Sequence, residues 1–220
     1  EFLVELYSEE IPPKLQTSAR IQFKNQLQIF LKDKGIKYKE CLDFSCPTRL
    51  SIFLKDLPKK IEVPSKEIKG PKTDVSEKVV EGFARSHNEN VKNVFKKETE
   101  KGSFYFIKTE KKNIFVEELL INYLPKLISE ITWKKSMKWS INSLMWGRPL
   151  RSIFAIFNKK KLNFKYYHLD STDKIIVEQD LVIKTKQVKT FKEYISFLKN
   201  NRIVIDQSER QKIIEKKFEL

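Results

Sequence analysis

Apolar positions along the chain repeat with either strand or helix period, and the two alternate. Phe2, Val4 and Leu6 share one face of a period-two run, which predicts a strand. Ser8-Glu9-Glu10-Ile11-Pro12-Pro13 interrupts it, and paired prolines suit a helix start. Leu15, Ala19, Phe23, Leu27 and Phe30 then recur every three or four residues, drawing a helical stripe that Gly35 ends. Two strands follow near Glu40–Ser45 and Leu50–Leu54, joined by the tight turn Cys46-Pro47-Thr48-Arg49. Residues 1–63 therefore read as a β-α-β-β unit.

Lys55 to Pro71 is polar and punctuated by proline, the pattern of a long loop or linker. Asp74-Val75-Ser76-Glu77 has the layout of a capping box, and Val75, Val79, Val80 and Phe83 make the next helix amphipathic. Val94–Glu98 and Ser103–Thr109 outline a hairpin. Val116–Ile131 carries a helical stripe with Pro125 inside it, which predicts a kink or two shorter helices. After a tryptophan-rich stretch, Ile153–Phe157 reads as a buried strand that Asn158-Lys159-Lys160-Lys161 turns toward Leu162–Tyr167. Ile175–Ile183 reads as one strand, Thr190–Lys199 as a helix and Arg202–Ile205 as a strand. Asp206-Gln207-Ser208-Glu209 opens a last helix. The fold class is α+β, with small mixed sheets and packed helices. Three regions follow: 1–63, a helix/hairpin/helix region over 64–135, and a second α+β region over 136–220.

Composition narrows the function classes. Apolar residues make up 40% and charged ones 33%, and the 220-residue chain is long enough to bury a real core. No apolar run reaches the ~18 residues of a membrane span, and the acidic start lacks the layout of a signal peptide. Cys41 and Cys46 have no His or Cys neighbours at metal spacing, so reduced thiols and a cytoplasmic location are expected. The chain starts without methionine and stops within a helical pattern, so it reads as a piece of a longer polypeptide. The net charge of +15 invites a nucleic-acid partner. Yet Lys outnumbers Arg 37 to 7, and 23 Ile stand against 3 Ala, a bias that an A+T-rich coding sequence would produce unaided. The few arginines are the better guide.

Two of those arginines, all three tryptophans and both methionines lie in the nineteen residues from Trp133 to Arg151. Rings beside cations suit stacking and phosphate contact, and equally a packed junction with lysine stems along the indoles. The candidate RNA- or partner-binding residues are Lys134, Lys135, Lys138, Trp139, Trp146, Arg148 and Arg151, with Arg49 and Arg85 weaker. The acidic loop Ser8-Glu9-Glu10 is read as helix N-terminal carboxylates rather than a metal or acid/base site. No glycine-rich phosphate loop, Ser/His/Asp set, paired histidines or Cys-His cluster is present. No catalytic or metal-ligating residue is nominated. On residues alone this is a basic, non-catalytic α+β segment; an RNA-processing enzyme would need a carboxylate pair on adjacent strand positions, and a purely structural role stays open.

Several stretches, read in order, resemble the amino-terminal part of the beta subunit of bacterial tetrameric glycyl-tRNA synthetases. They are Phe2–Leu6 with Ser8–Pro13, then Pro47-Thr48-Arg49-Leu50, Lys69-Gly70-Pro71 and Gly82-Phe83-Ala84-Arg85. Lys135-Ser136-Met137-Lys138-Trp139, Arg148-Pro149-Leu150-Arg151, and Ile203–Asp206 with Glu209-Arg210 complete the set. Ser140 and Ser152 depart from that pattern, as does the region around His168. The resemblance implies a role in ATP-dependent charging of tRNA(Gly) with glycine. It implies an alpha2/beta2 heterotetramer whose alpha subunit carries the aminoacylation site and uses ATP and Mg2+, with no cofactor held here. It also implies tRNA(Gly) and the alpha subunit as partners, and HD-like and anticodon-binding domains beyond residue 220.

Overall fold

The computed structural model describes every residue except 88, 101, 110, 140–143, 180, 181, 219 and 220, together with the side chain of Trp139. Ser140 and the Trp139 indole therefore lie outside the described residues. The elements run Phe2–Ser8 (β1), Pro13–Asp33 (α1), Glu40–Cys46 (β2), Arg49–Lys55 (β3), Lys60–Val63 (β4), Glu67–Lys72 (β5) and Glu77–Ser86 (α2). Val94–Thr99 (β6), Gly102–Lys108 (β7), Lys112–Phe115 (β8), Val116–Ser129 (α3), Met137–Trp139 (β9), Leu144–Trp146 (β10) and Leu150–Phe157 (β11) follow. Lys160–Lys161 (β12), Lys165–Tyr166 (β13), Leu169–Thr172 (β14), Lys174–Gln179 (β15), Val182–Gln187 (β16), Phe191–Asn200 (α4) and Gln207–Phe218 (α5) complete an α+β chain.

Two compact units form: residues 1–59 with 115–220, and residues 60–114. The first is built on one sheet in the order β13-β14-β11-β1-β3-β2, with β12 added to β11. Neighbours are antiparallel except β11 and β14. The β-α-β-β unit is present, but its first strand is central. β1 pairs with β3 on one edge and with β11, some 150 residues later, on the other. Every β1 side chain is consequently buried, not one face only.

Helices explain both faces. Val4, Ile52 and Asp43 lie in register on one face. There α1 crosses β2 and β3, with Arg20 and Lys24 both paired to Asp43 (Lys24 Nζ at 2.6 Å). Beside α1 lies α3, with Phe30 and Tyr123 stacked at 3.8 Å. The other face gives Leu3, Phe53, Phe154 and Ile156 to a cluster with Tyr194 and Leu198 of α4 and Ile175 and Val177 of β15. Thr190 caps α4, its hydroxyl accepting from Glu193 N at 3.2 Å.

Several sequence expectations change. Lys55–Pro71 is not a bare loop but contains β4 and most of β5, whose side chains alternate between exposed and half-buried without reaching full burial. Asp74 caps nothing; α2 starts after Ser76 without a side-chain cap. Pro125 sits inside one continuous helix, Val116–Ser129, where it withholds one backbone donor from the ladder without dividing the helix. The span 175–183 holds parts of two antiparallel strands, β15 and β16, rather than one strand: Ile175 and Val177 face the core while Val182 and Ile183 are exposed. Arg202–Ile205 forms no strand, because the Arg210 guanidinium takes the Val204 and Ile205 carbonyls at 2.7 and 2.9 Å that a ladder would have used. Glu9 and Glu10 precede the helix, and its first turn holds no acid.

In the second unit β5-β7-β6 form a three-stranded antiparallel sheet and β4 pairs with β8. Phe83 of α2 packs against Gly70 of β5.

Candidate functional site

Three loops converge at the end of β1. Ser8 N–H donates to the Thr48 carbonyl at 2.9 Å, Ile11 N–H to Pro47 at 2.6 Å, and Glu9 N–H to Pro149 at 3.0 Å. The segments around Ser8–Pro13, Pro47–Arg49 and Gly147–Arg151, far apart in sequence, are thus stitched together by backbone bonds. Arg148 adds a fourth tie, its Nε–H donating to the Glu10 carbonyl at 3.1 Å.

That bond orients Arg148 without neutralising it. Its two terminal nitrogens have no partner among the described residues, and the side chain is exposed. It separates two grooves. One, of about 640 Å³, has Pro12, Leu15, Met137 and Gly147 along its apolar wall and Lys14, Lys134 and Lys135 on its rim. None of those lysines is ion-paired among the described residues. The other, of about 560 Å³, has mixed charge: Glu9, Glu10, Arg151 and Glu178 over Tyr7 and Thr48.

Beneath lies the tryptophan pair. Trp146 is fully buried and meets Trp133 edge to face, with centroids 4.9 Å apart. A Cβ on Gly147 would stand 2.4 Å from the Trp133 ring, so only glycine lets the chain lie on that indole. Trp146 is therefore the support of the groove and does not face a ligand.

The second groove rests on a buried charge network. Arg49 and Glu5 are ion-paired at 2.8 Å, each 1% exposed. Tyr194 donates to the second Glu5 oxygen at 2.5 Å and meets Ser51 Oγ at 2.7 Å, while Arg49 also donates to the Ile176 carbonyl. Burial opposes the Arg49 charge, yet the Glu5 carboxylate beside it makes the guanidinium hold its proton more tightly than usual. Burial, then Glu5, push the Tyr194 phenol well above its ordinary range. Above this, the Tyr7 ring lies between Arg49, 4.5 Å from its centroid, and Arg151, at 5.7 Å. Arg151 is paired with Glu178, which also accepts from the Tyr7 hydroxyl at 3.4 Å; the Glu178 bond raises the Arg151 pKa.

The nominated residues thus separate. Lys134, Lys135 and Arg148 share one groove; Arg151 is exposed but spoken for; Lys138 is exposed on β9. Arg49 is a core cation and unavailable to RNA. Arg85 is exposed on α2 in the second unit. Sequence reasoning missed Lys14 and the Glu5 network. The signal for the latter was a charged residue on an otherwise apolar strand, Glu5 between Val4 and Leu6. Among the described residues no three His, Cys, Asp or Glu side chains are grouped to hold a metal ion, and no helix is long and apolar enough to cross a membrane.

Comparison with known proteins shows the family that the motifs resemble. The sequence model of the family described as glycyl-tRNA synthetase beta subunit matches residues 2–220. The glycine–tRNA ligase beta subunit of Rickettsia canadensis (strain McKiel) is 31% identical over 219 residues, covering 98% of this chain and 32% of the relative. That of Paracoccus denitrificans (strain Pd 1222) is 29% identical over 218 residues, covering 97% and 32%. Its counterpart in Rickettsia bellii (strain OSU 85-389) is 30% identical over 218 residues, with 98% and 32% covered. The chain spans about a third of the length of these curated relatives. With the match running through the β1 strand, the three stitched loops and the terminal helix, the chain belongs to the glycyl-tRNA synthetase beta subunit family.

Proposed function

We propose that this chain is the amino-terminal part of the beta subunit of a glycine–tRNA ligase, and that it holds tRNA(Gly) and the alpha subunit while glycine is attached elsewhere. Bond-making, with its ATP and Mg2+, belongs in this reading to the alpha subunit of an alpha2/beta2 enzyme. The observation that carries the RNA part is Arg148. Its Nε is anchored on Glu10, and among the described residues its terminal nitrogens are free and three unpaired lysines stand along the same groove. An oriented guanidinium with a free fork suits bidentate phosphate contact, and surrounding lysines add salt-dependent attraction.

Docking of the alpha subunit draws on a separate observation. Met145 of β10 is 49% exposed and, by the register with β9, lies on the opposite face of that strand pair from Met137, which lines the Arg148 groove; exposed methionine adapts well to a protein partner.

The test is tRNA(Gly) binding by the assembled enzyme over a salt series. Arg148→Ala with Lys134→Ala and Lys135→Ala is expected to weaken binding at least tenfold and to flatten the salt slope by about 0.7–0.9 for each phosphate no longer neutralised. Wild-type affinity and slope would refute the RNA reading. Met145→Glu, outside the Arg148 groove, is expected to lower alpha–beta association in sedimentation; unchanged assembly would refute the docking reading.

A further inference from the structure

In the second unit, one face of the β5-β7-β6 sheet is built unlike a protein core. The register places Phe95, Phe104 and Phe106 on a common face with Lys69, Lys72, Lys97 and Lys108. The helix α2 is on the other side, where Phe83 meets Gly70. Phe95 is 36% exposed and stacks on Phe106 with centroids 6.1 Å apart. Lys69 Nζ stands 3.5 Å from the Phe104 ring centroid, and Lys97 Nζ 5.5 Å from that of Phe106. One carboxylate, Glu67, shares the face and pairs with Lys97 at 2.6 Å.

We infer that this sheet face binds unpaired nucleotides of RNA, with a base stacked on Phe95 and phosphates on the flanking lysines. The inference rests on the RNA role proposed above and adds a second surface with a defined ligand class. Four cations against one anion favour a polyanion. A protein partner is disfavoured because lysine is depleted from protein interfaces. Duplex RNA is disfavoured because its base faces are covered by their neighbours, leaving the ring nothing to stack on, whereas single strands use aromatic rings on a sheet with cations at their edges. Lys69 and Lys97 lie over Phe104 and Phe106 rather than over Phe95, so a base stacking on Phe95 displaces neither.

The experiment uses the assembled alpha/beta enzyme and three probes: tRNA(Gly), a fluorescein-labelled single-stranded oligouridine, and a blunt RNA duplex of matched charge. Phe95→Leu keeps apolar cover on Phe106 but removes the stacking ring, and Phe95→Trp restores it. Phe95→Leu is expected to weaken oligouridine binding roughly five- to hundredfold, with the duplex unchanged and Phe95→Trp near wild type. Replacing Lys69, Lys72 and Lys97 by glutamine is expected to lower the salt slope for oligouridine by about 0.7 for each phosphate released. Oligouridine binding unchanged in Phe95→Leu overturns the inference, as does equal weakening of both linear probes, or loss of alpha-subunit association with RNA binding intact. If Arg148→Ala weakens tRNA(Gly) binding while Phe95→Leu leaves every probe unaffected, this inference fails and the earlier reading stands. If neither alters RNA binding, both fail.

Discussion

Glutamine in place of Glu5 asks whether the centre of the sheet is held by charge or by shape. Glu5 and Arg49 are each 1% exposed and 2.8 Å apart, so water screens neither. In Glu5→Gln the amide oxygen still accepts from Arg49, and the amide nitrogen can donate to Tyr194. The Tyr194 hydroxyl then turns to Ser51 Oγ, 2.7 Å away. Every hydrogen bond has a replacement; what disappears is the neutralising charge. Tyr7, 4.5 Å from the guanidinium, already contributes in the wild type and cannot offset it. Breaking a buried pair from one side costs about 3–5 kcal/mol. Native-state hydrogen exchange on the beta subunit reads this at the Val4, Leu6 and Ile52 amides, on the central strands β1 and β3. Exchange there is expected to quicken by roughly 10²- to 5 × 10³-fold. Adding Arg49→Met should recover part of the loss, since it takes the uncompensated cation out of the core. Exchange within about threefold of wild type, or a double variant no better than the single, would refute the reasoning.

Tyr194 predicts an alkaline limit on stability. Burial, then Glu5, raise its folded pKa well above the ordinary 10.0. A raised value means that the stabilisation is complete below pH 10 and is lost as pH climbs toward the folded value. Urea midpoints between pH 9 and 11 should therefore fall, and Tyr194→Phe should remove up to about 1.4 kcal/mol per pH unit of that slope; equal slopes would contradict the linkage. Gly147→Ala places a Cβ 2.4 Å from the Trp133 ring. Overpacking of about 1–3 kcal/mol should lower the melting temperature and alter tryptophan emission, and an unchanged emission spectrum would count against the close approach.

Local elements were legible where packing and period agree. The stripe Leu15–Phe30 became α1, the run Ile153–Phe157 lies in β11, and Asp206 caps α5 with bonds of 2.8 and 3.1 Å to Ser208 and Glu209 N–H. Where period is absent or misleading, neighbours decided. The span 175–183, apolar at both ends and polar at Glu178 and Gln179, is shared between two antiparallel strands of which only Ile175 and Val177 find a core, and Ile203–Ile205 stays irregular because Arg210 satisfies its carbonyls. The candidate set divided on the same ground. A tryptophan and an arginine look alike in sequence whether they face water or the core, yet Trp146 and Arg49 are buried while Arg148 is exposed.

By itself, the order of apolar, polar and turn residues determined the α+β class, the N-terminal β-α-β-β unit and, through its ordered motifs, the family. Tertiary structure alone decided that β1 is central, that residues 8–13, 47–49 and 147–151 meet at one end of it, and that Glu5 is matched by Arg49. The physical reason is range. Period and turn chemistry act over a few residues, whereas the strand partners of β1 and the charge partner of Glu5 lie roughly 40 to 155 residues away and are chosen by what else must be buried beside them.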